Sequence, residues 1–256
     1  MPHQITKIIH PLKLRRVIVK SIERPYRHVA RIVFMGDELE GFVSASPEDH
    51  VKLFLPAEGQ LEPTLPTLGP EGPMVLDGAT PPVMRDYTPL HFDATARELT
   101  IEFVLHGEGP GARWASKAKP GDVVGIGGPR ASAVIPYDFA GYLIIGDESS
   151  LPAISRRLAE MPSGIPVTVI IEVEGPEDER QFESAANVQT HWLHRGKTPP
   201  GEPETFLSTV RSAPFPPDPF YTWVMAAEDV VRAVRHVLTD ERNVDRALMY
   251  AKAYWK

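Results

Sequence analysis

A chain of 256 residues, 42% of them hydrophobic, is long enough to bury one large core or two of ordinary size. The net charge of -7, without a long basic run, argues against nucleic acid as a partner, because phosphate binding depends on clustered lysine and arginine. The absence of cysteine excludes disulfides, thiolate chemistry and iron–sulfur ligation. Any redox chemistry therefore needs a bound cofactor.

The sequence shows no membrane or export signal. Its first five residues lack the basic and then apolar pattern of a signal peptide, and no apolar run approaches the roughly 20 residues that span a bilayer. We therefore expect a cytoplasmic protein without membrane insertion, and we favour a monomer.

The first half of the chain is typical of an antiparallel β-barrel. Residues 14–20 and 31–34 form short Val/Ile-rich runs that predict early strands. Residues 49–55 predict another strand, with Lys52 and Phe54 on the face opposite its apolar row. Residues 56–82 are rich in proline and glycine and predict a long irregular loop, either a cover over a ligand or a surface excursion.

The segment Arg-Asp-Tyr-Thr at residues 85–88 combines three groups suited to a dinucleotide with a flat ring. The guanidinium of Arg85 is a planar fork of donors for phosphate oxygens. The ring of Tyr87 can stack on an isoalloxazine, and the Thr88 hydroxyl can bond its polar edge. Without further context, an exposed Arg-Tyr-Thr at a strand start is also compatible with a purely structural role.

A glycine-rich turn follows the apolar strand of residues 99–105. Glycine allows close approach of the backbone to an anion, and the helix predicted to start near Gly111 directs its free N–H groups at that anion. The candidate pyrophosphate ligands in this turn are His106, Gly109, Pro110, Gly111 and Ala112. For His106, a flavin contact and a strand-end histidine bonded to the loop are equally open, whereas we expect Trp114 to belong to the core.

Residues 127–130, Gly-Gly-Pro-Arg, are predicted to close the barrel. Glycine there leaves room for a flat ring against the backbone, and Arg130 projects just beyond it. Together, residues 85–130 have the features expected of an FAD cradle.

The second half alternates strands and helices and predicts an α/β domain with a parallel sheet. Strands are predicted at residues 142–145, 167–173, 188–193 and 221–226, with helices up to residue 161 and over residues 229–238. We therefore expect an FAD-binding β-barrel domain at residues 1–137 and a nicotinamide-dinucleotide-binding-like domain at residues 138–256.

The loop after the first strand of that domain is where a nicotinamide dinucleotide binds in such sheets. Its sequence, GDESSL, is not the glycine fingerprint, because Asp147 and Glu148 replace small residues and carboxylates repel a pyrophosphate. Ser149 and Ser150 are candidate donors to the dinucleotide or helix caps, and we favour capping for Ser149. Glu228 is open to a cofactor contact or to a helix-start role.

The motifs RDYT, FVLHGEGPGARWA, PGDVVGIGGPR and GDESSLPAI occur in an order that resembles the siderophore-interacting protein family, flavin-dependent ferric-siderophore reductases related to ferredoxin–NADP reductases. The resemblance runs from about residue 17 to residue 255. It implies that Arg85, Tyr87 and Thr88 bind FAD and that the loop carrying Asp147, Ser149 and Ser150 lies beside the flavin ring. The family commonly has arginine where this chain has Leu90, which implies one phosphate contact fewer.

The resemblance also implies a basic pocket for an anionic ferric chelate. Lys52 and Arg130 match two of its cations, and Lys256 or Lys252 in the Tyr-Trp-basic ending supplies the third. The implied activity is electron transfer from NAD(P)H or a ferredoxin through FAD to chelated ferric iron. The alternatives are a flavin electron-transfer enzyme with another acceptor and a non-catalytic chelate-binding protein.

Overall fold

The computed structural model describes residues 3–69, 72–74, 81–105 and 109–256. The chain folds into two compact units, each with its own core. The N-terminal domain is Ile5–Ile135, and the C-terminal domain is Pro136–Lys256 together with His3 and Gln4.

The N-terminal domain is built from antiparallel strands and one α-helix. Its strands β1 to β11 are Thr6–Ile9, Leu14–Tyr26, Val29–Met35, Val51–Leu55, Thr67–Gly69, Gly72–Met74, Val83–Tyr87, His91–Asp93, Glu98–Val104, Val123–Gly127 and Ala131–Val134. Helix α1, Pro110–Lys117, follows β9. The main sheet has seven strands in the order β7-β4-β10-β2-β3-β9-β8, while β1 pairs with β11 and β5 with β6.

The main sheet rolls over a single core, as the predicted barrel requires. Side chains that alternate along each strand, such as Val17 and Val19 on β2, are buried on its inner face. The ring of Tyr87, on the edge strand β7, lies 4.4 Å from that of Phe103 on β9, between centroids. The antiparallel fold class predicted for this half of the chain is therefore confirmed.

The prediction of one irregular loop over residues 56–82 is wrong in part. Within it, β5 pairs with β6 in an antiparallel ribbon, with Leu68 opposite Pro73. Proline is compatible with this position because each strand of a two-stranded ribbon pairs on one side only, so the missing N–H need not cost a ladder bond.

The C-terminal domain is a parallel sheet with helices, as predicted. Its strands β12 to β16 are Gly141–Gly146, Pro166–Val173, Asn187–His194, Phe220–Ala227 and Met249–Trp255, in the order β14-β13-β12-β15-β16. Its helices are α2, Leu151–Glu160; α3, Glu204–Ser212; and α4, Glu228–His236, which continues into a π-helical turn, Val237–Glu241. Strand β16 and helix α3 are elements that the sequence patterns did not predict.

Candidate functional site

Helix α1 begins at Pro110, and no side chain among the described residues caps its N-terminus. Gly109 is the N-cap residue, and a Cβ there would meet no atom of the described residues within 4 Å. The first turn contains no acidic residue. The backbone N–H groups of Gly111 and Ala112 are therefore donors available to an anion, which suits a pyrophosphate. His106 lies outside the described residues.

Tyr87 packs directly over Gly111. A Cβ on Gly111 would lie 1.9 Å from Tyr87 Oη, so only glycine allows this approach. Burial raises the pKa of Tyr87 to about 12, which keeps the hydroxyl protonated at neutral pH. Trp114 stacks at 6.2 Å on Phe34, which confirms its predicted place in the core. The start of α1 and the Arg-Asp-Tyr-Thr segment are therefore in direct contact.

The residues of the Arg-Asp-Tyr-Thr segment divide between the two faces of β7. Directly opposed residues in an antiparallel pair lie on the same face of the sheet. Tyr87 therefore shares a face with Val51, and Asp86 lies on the other face with Lys52. The Arg85 guanidinium is exposed and donates to the carbonyl of Met84 at 2.7 Å. Thr88 is buried just beyond the strand.

Lys52 carries its own counter-ion. Its Nζ donates to Asp86 Oδ1 at 2.8 Å, and His50 Nε2 lies 3.8 Å from Asp86 Oδ2. Lys52 also pairs in register with Gly127, which brings it close to the corner that carries Arg130. Arg130 is exposed. The register therefore sets Lys52 opposite the strand end that leads to Arg130, and Asp86 adds a carboxylate beside Lys52.

The bare backbone expected at Gly127 is covered by side chains. A Cβ there would lie 3.1 Å from both Leu14 Cδ2 and Phe54 Cε2. The apolar side chains of β2 and β4 therefore fill the space on the Cβ side of Gly127, while room for a flat ring at Gly128 stays a prediction.

Lys256 lies in the C-terminal domain and is almost fully exposed. Its Nζ is 3.6 Å from Glu228 Oε2. Glu228 begins α4, where a carboxylate interacts favourably with the helix dipole. The observed arrangement matches the helix-start role of Glu228.

In the turn after β12, the carboxylate of Asp147 is directed inward. It accepts hydrogen bonds from Ser149 N, Ser149 Oγ, Ala227 N and Trp255 Nε1, at distances of 2.5–2.9 Å. Burial raises the pKa of Asp147, and these four donors oppose the rise. The prediction that Ser149 caps the following helix is wrong. The N-cap residue of the turn Glu148–Ser150 is Asp147, whose carboxylate accepts the hydrogen bond from the Ser149 N–H. Ser150 Oγ donates to the carbonyl of Asp147 at 2.7 Å.

Glu148 is also buried, and its partner is Arg195. The guanidinium contacts both carboxylate oxygens, at 2.8 and 3.3 Å, and the N–H of Glu174 donates to Glu148 Oε1 at 2.7 Å. The predicted repulsion between these two carboxylates and a pyrophosphate is therefore weakened, because both are held in bonds inside the domain.

Glu172, near the carboxyl end of β13, is fully buried and is hydrogen-bonded to Thr205. The Thr205 hydroxyl lies 2.6 Å from Glu172 Oε2 and 2.7 Å from the carbonyl oxygen of Glu202. The hydroxyl donates to this carboxylate oxygen. Glu172 Oε1 has no hydrogen-bond partner among the described residues.

Burial is the largest influence on the charge state of Glu172. Burial raises its pKa to about 7, and the nearby Asp147 and Glu148 act in the same direction, while Thr205 and Arg195 oppose it. A folded-state pKa above the unfolded value of 4.5 stabilises the fold below pH 4.5, and this contribution is lost as the pH rises towards 7.

We expect Glu172→Gln, which keeps the neutral shape, to flatten the decline in stability between pH 5 and pH 8. Wild-type protein should lose about 2.5 kcal/mol more than the variant over this range. Urea unfolding followed by tryptophan fluorescence measures it, since Trp192, Trp223 and Trp255 all lie in this domain. Glu174→Gln removes the charge of a part-exposed neighbour and should retain the wild-type slope. If stability depends on pH equally in wild type and in Glu172→Gln, the raised pKa of Glu172 is contradicted.

Sequence reasoning missed Asp86, Glu172 and Arg195. Strand alternation, which the sequence shows, places Asp86 on the face opposite Arg85 and Tyr87, whereas its pairing with Lys52 depends on the register of β4 and β7. Nothing in the sequence indicates that Arg195 pairs with Glu148, 47 residues away. Within the described ranges no group of three or more His, Asp or Glu side chains is arranged to hold a metal ion, and His194 bonds Glu179 at 2.8 Å.

No helix in the described part of the chain is long and apolar enough to cross a membrane. The order of an antiparallel β domain and a parallel α/β domain is shared with a ferredoxin NADP+ reductase from Neisseria gonorrhoeae, with a TM-score of 0.58 at 13% identity over 94% of this chain and 99% of that one. The chain therefore has the ferredoxin–NADP reductase fold.

Two family models match. One described as "Siderophore-interacting FAD-binding domain" matches residues 18–133, and one described as "Siderophore-interacting protein" matches residues 139–256. The chain is 31% identical to the NADPH-dependent ferric-chelate reductase of Escherichia coli, over 99% of this chain and 97% of that relative. It is 32% identical to the ferric vibriobactin reductase ViuB of Vibrio cholerae, over 90% and 84%.

Among solved structures, a siderophore utilization protein from T. fusca superposes with a TM-score of 0.91 and 33% identity, covering 99% of this chain and 96% of that one. The chain belongs to the siderophore-interacting protein family.

Proposed function

We propose that this protein is an FAD-dependent ferric-siderophore reductase that takes electrons from NADPH. The observation that carries the proposal is the uncapped N-terminus of α1 beside Tyr87, within a domain matched by a siderophore-interacting FAD-binding model. The names of the Escherichia coli and Vibrio cholerae relatives support the ferric chelate as substrate, and the first supports NADPH as donor.

Residues 1–137 are proposed to bind FAD and residues 138–256 the nicotinamide donor. In the first domain, the N–H groups of Gly111 and Ala112 hold the pyrophosphate, while Arg85, Tyr87 and Thr88 bind the rest of FAD. In the second, the donor binds at the carboxyl edge of the parallel sheet, where Ser149 and Ser150 lie.

When bound, FAD accepts an electron pair from a nicotinamide and passes electrons singly to an acceptor such as ferric iron. Lys52 and Arg130 attract and hold the chelate, and Lys256 is the proposed third cation. Oxygen ligands hold ferric iron more tightly than ferrous iron, so reduction favours release of the metal. No residue is assigned a proton-transfer role, because the iron step moves electrons only.

We expect the purified protein to show a flavin absorption band that NADPH bleaches without oxygen and that a ferric chelate restores. Lys52→Ala with Arg130→Ala should raise KM for an anionic chelate about tenfold and leave bleaching by NADPH unchanged. Stopped-flow absorbance measures both steps. A colourless protein that FAD does not reconstitute would contradict the proposal. If reduced ferredoxin bleaches the flavin band and NADPH does not, ferredoxin is the electron donor.

The protein is proposed to act as a monomer in the cytoplasm. Light scattering coupled to size-exclusion chromatography tests the oligomeric state.

A further inference from the structure

Asp86 stands between two proposed binding regions. Its neighbours Arg85 and Tyr87 are proposed FAD ligands, but Asp86 itself lies on the opposite face of β7, directly across from Lys52. The sequence alone assigns Asp86 no role. The structure gives it a defined partner on the face proposed to bind the chelate.

The contacts of Asp86 are those of a counter-ion held on an open surface. Its two carboxylate oxygens are divided between Lys52 Nζ at 2.8 Å and His50 Nε2 at 3.8 Å. The side chains of Lys52, Asp86 and His50 are 51%, 46% and 45% exposed, so this pair is open to solvent and to a ligand. An ion pair this exposed contributes little to folding, so a stabilising role does not account for its presence.

The carboxylate changes the charge that a ligand meets at Lys52. Lys52 pairs with Gly127 on its other side, and the chain turns from there to the exposed Arg130. A chelate bound between Lys52 and Arg130 is therefore attracted by two cations and repelled by one nearby anion. This repulsion grows with the negative charge of the chelate and vanishes for an uncharged one.

We propose that Asp86 is a specificity-determining residue that sets the charge of the ferric chelate this protein accepts. It lowers affinity for highly anionic triscatecholates and leaves affinity for uncharged trihydroxamates nearly unaffected. The inference rests on the proposed function, because it takes Lys52 and Arg130 as the residues that bind the chelate.

The test compares two probes, ferric enterobactin, a triply negative triscatecholate, and ferrichrome, an uncharged trihydroxamate. Isothermal titration calorimetry measures Kd for each with flavin-loaded wild type, Asp86→Asn, Lys52→Ala and Glu58→Gln. Asp86→Asn should tighten ferric enterobactin about tenfold and change ferrichrome less than twofold. Lys52→Ala should weaken ferric enterobactin.

Glu58→Gln is the matched control, since it removes one negative charge from an exposed turn just after β4. It should change neither Kd. Flavin content and thermal unfolding should be the same in all four proteins, which separates a charge effect from damage to the FAD site beside Asp86.

The outcomes distinguish the two proposals. If Lys52→Ala weakens ferric enterobactin but Asp86→Asn shifts both probes equally or neither, Asp86 does not set specificity and the proposed function stands. If wild type binds neither probe, the chelate site itself is wrong, and the inference fails together with the proposed function.

Discussion

Replacing Arg195 with methionine is expected to destabilise the C-terminal domain by about 3–5 kcal/mol. The Arg195 side chain is only 5% exposed and forms two bonds with the buried carboxylate of Glu148. It also lies 4.0 Å from Glu172 and 3.7 Å from Glu174. Without the guanidinium, the Glu148 carboxylate loses two charge-assisted bonds inside the domain, and breaking a buried pair is far costlier than the loss of a surface pair.

The effect is measured by urea unfolding at pH 7 with tryptophan fluorescence. Arg211→Met is a control of the same chemistry, because Arg211 forms a similar two-bond pair with Glu241 but both side chains are well exposed. It should have little effect. Adding Glu148→Gln to Arg195→Met should recover part of the loss, since a neutral amide depends less on the guanidinium than a carboxylate does. A double variant less stable than Arg195→Met would contradict this account.

Gly111→Ala is expected to destabilise the N-terminal domain by about 1–3 kcal/mol and to weaken FAD binding at least tenfold. The added Cβ would lie 1.9 Å from Tyr87 Oη. The Tyr87 ring cannot move away freely, because it packs on Phe103 within the core. The helix start or the tyrosine must therefore shift, and both are proposed parts of the FAD site.

Flavin fluorescence titration measures FAD affinity, and urea unfolding without FAD measures stability. Tyr87→Phe combined with Gly111→Ala should restore most of the stability, because removal of the hydroxyl leaves Cζ, at 3.0 Å, as the nearest atom. Gly109→Ala is the control, since its Cβ meets nothing within 4 Å and its φ of -60° suits alanine. It should leave stability without FAD nearly unchanged. Equal stability of Gly111→Ala and wild type would refute the packing argument.

The two cations paired with carboxylates illustrate different uses of the same interaction. Arg195 and Glu148 are buried, so their pairing is needed for the stability of the domain. Lys52 and Asp86 are half exposed, so their pairing contributes little to stability and remains available to a charged ligand. Burial, rather than residue type, separates the structural pair from the one proposed to act in recognition.

The sequence by itself determined the order of the two domains and the main strands. Alternating strand and helix patterns predicted the parallel sheet, and continuous apolar runs located β12, β13 and β15 within one or two residues. The Gly-Pro-Gly turn predicted the start of α1 to within a residue. These features are local, because backbone propensity and the periodicity of apolar residues are carried by neighbouring residues along the chain.

Only the tertiary structure decided what each site residue contacts. Asp86 meets Lys52 across 34 residues, Arg195 meets Glu148 across 47, and Trp255 bonds Asp147 across 108. Strand register fixes the first of these contacts, and the meeting of strand ends at the carboxyl edge of the parallel sheet fixes the other two. Asp147 shows the consequence most clearly. In the sequence it is a carboxylate in a cofactor loop, whereas in the fold four donors draw it inward, because burying that carboxylate requires hydrogen-bond partners that distant segments supply.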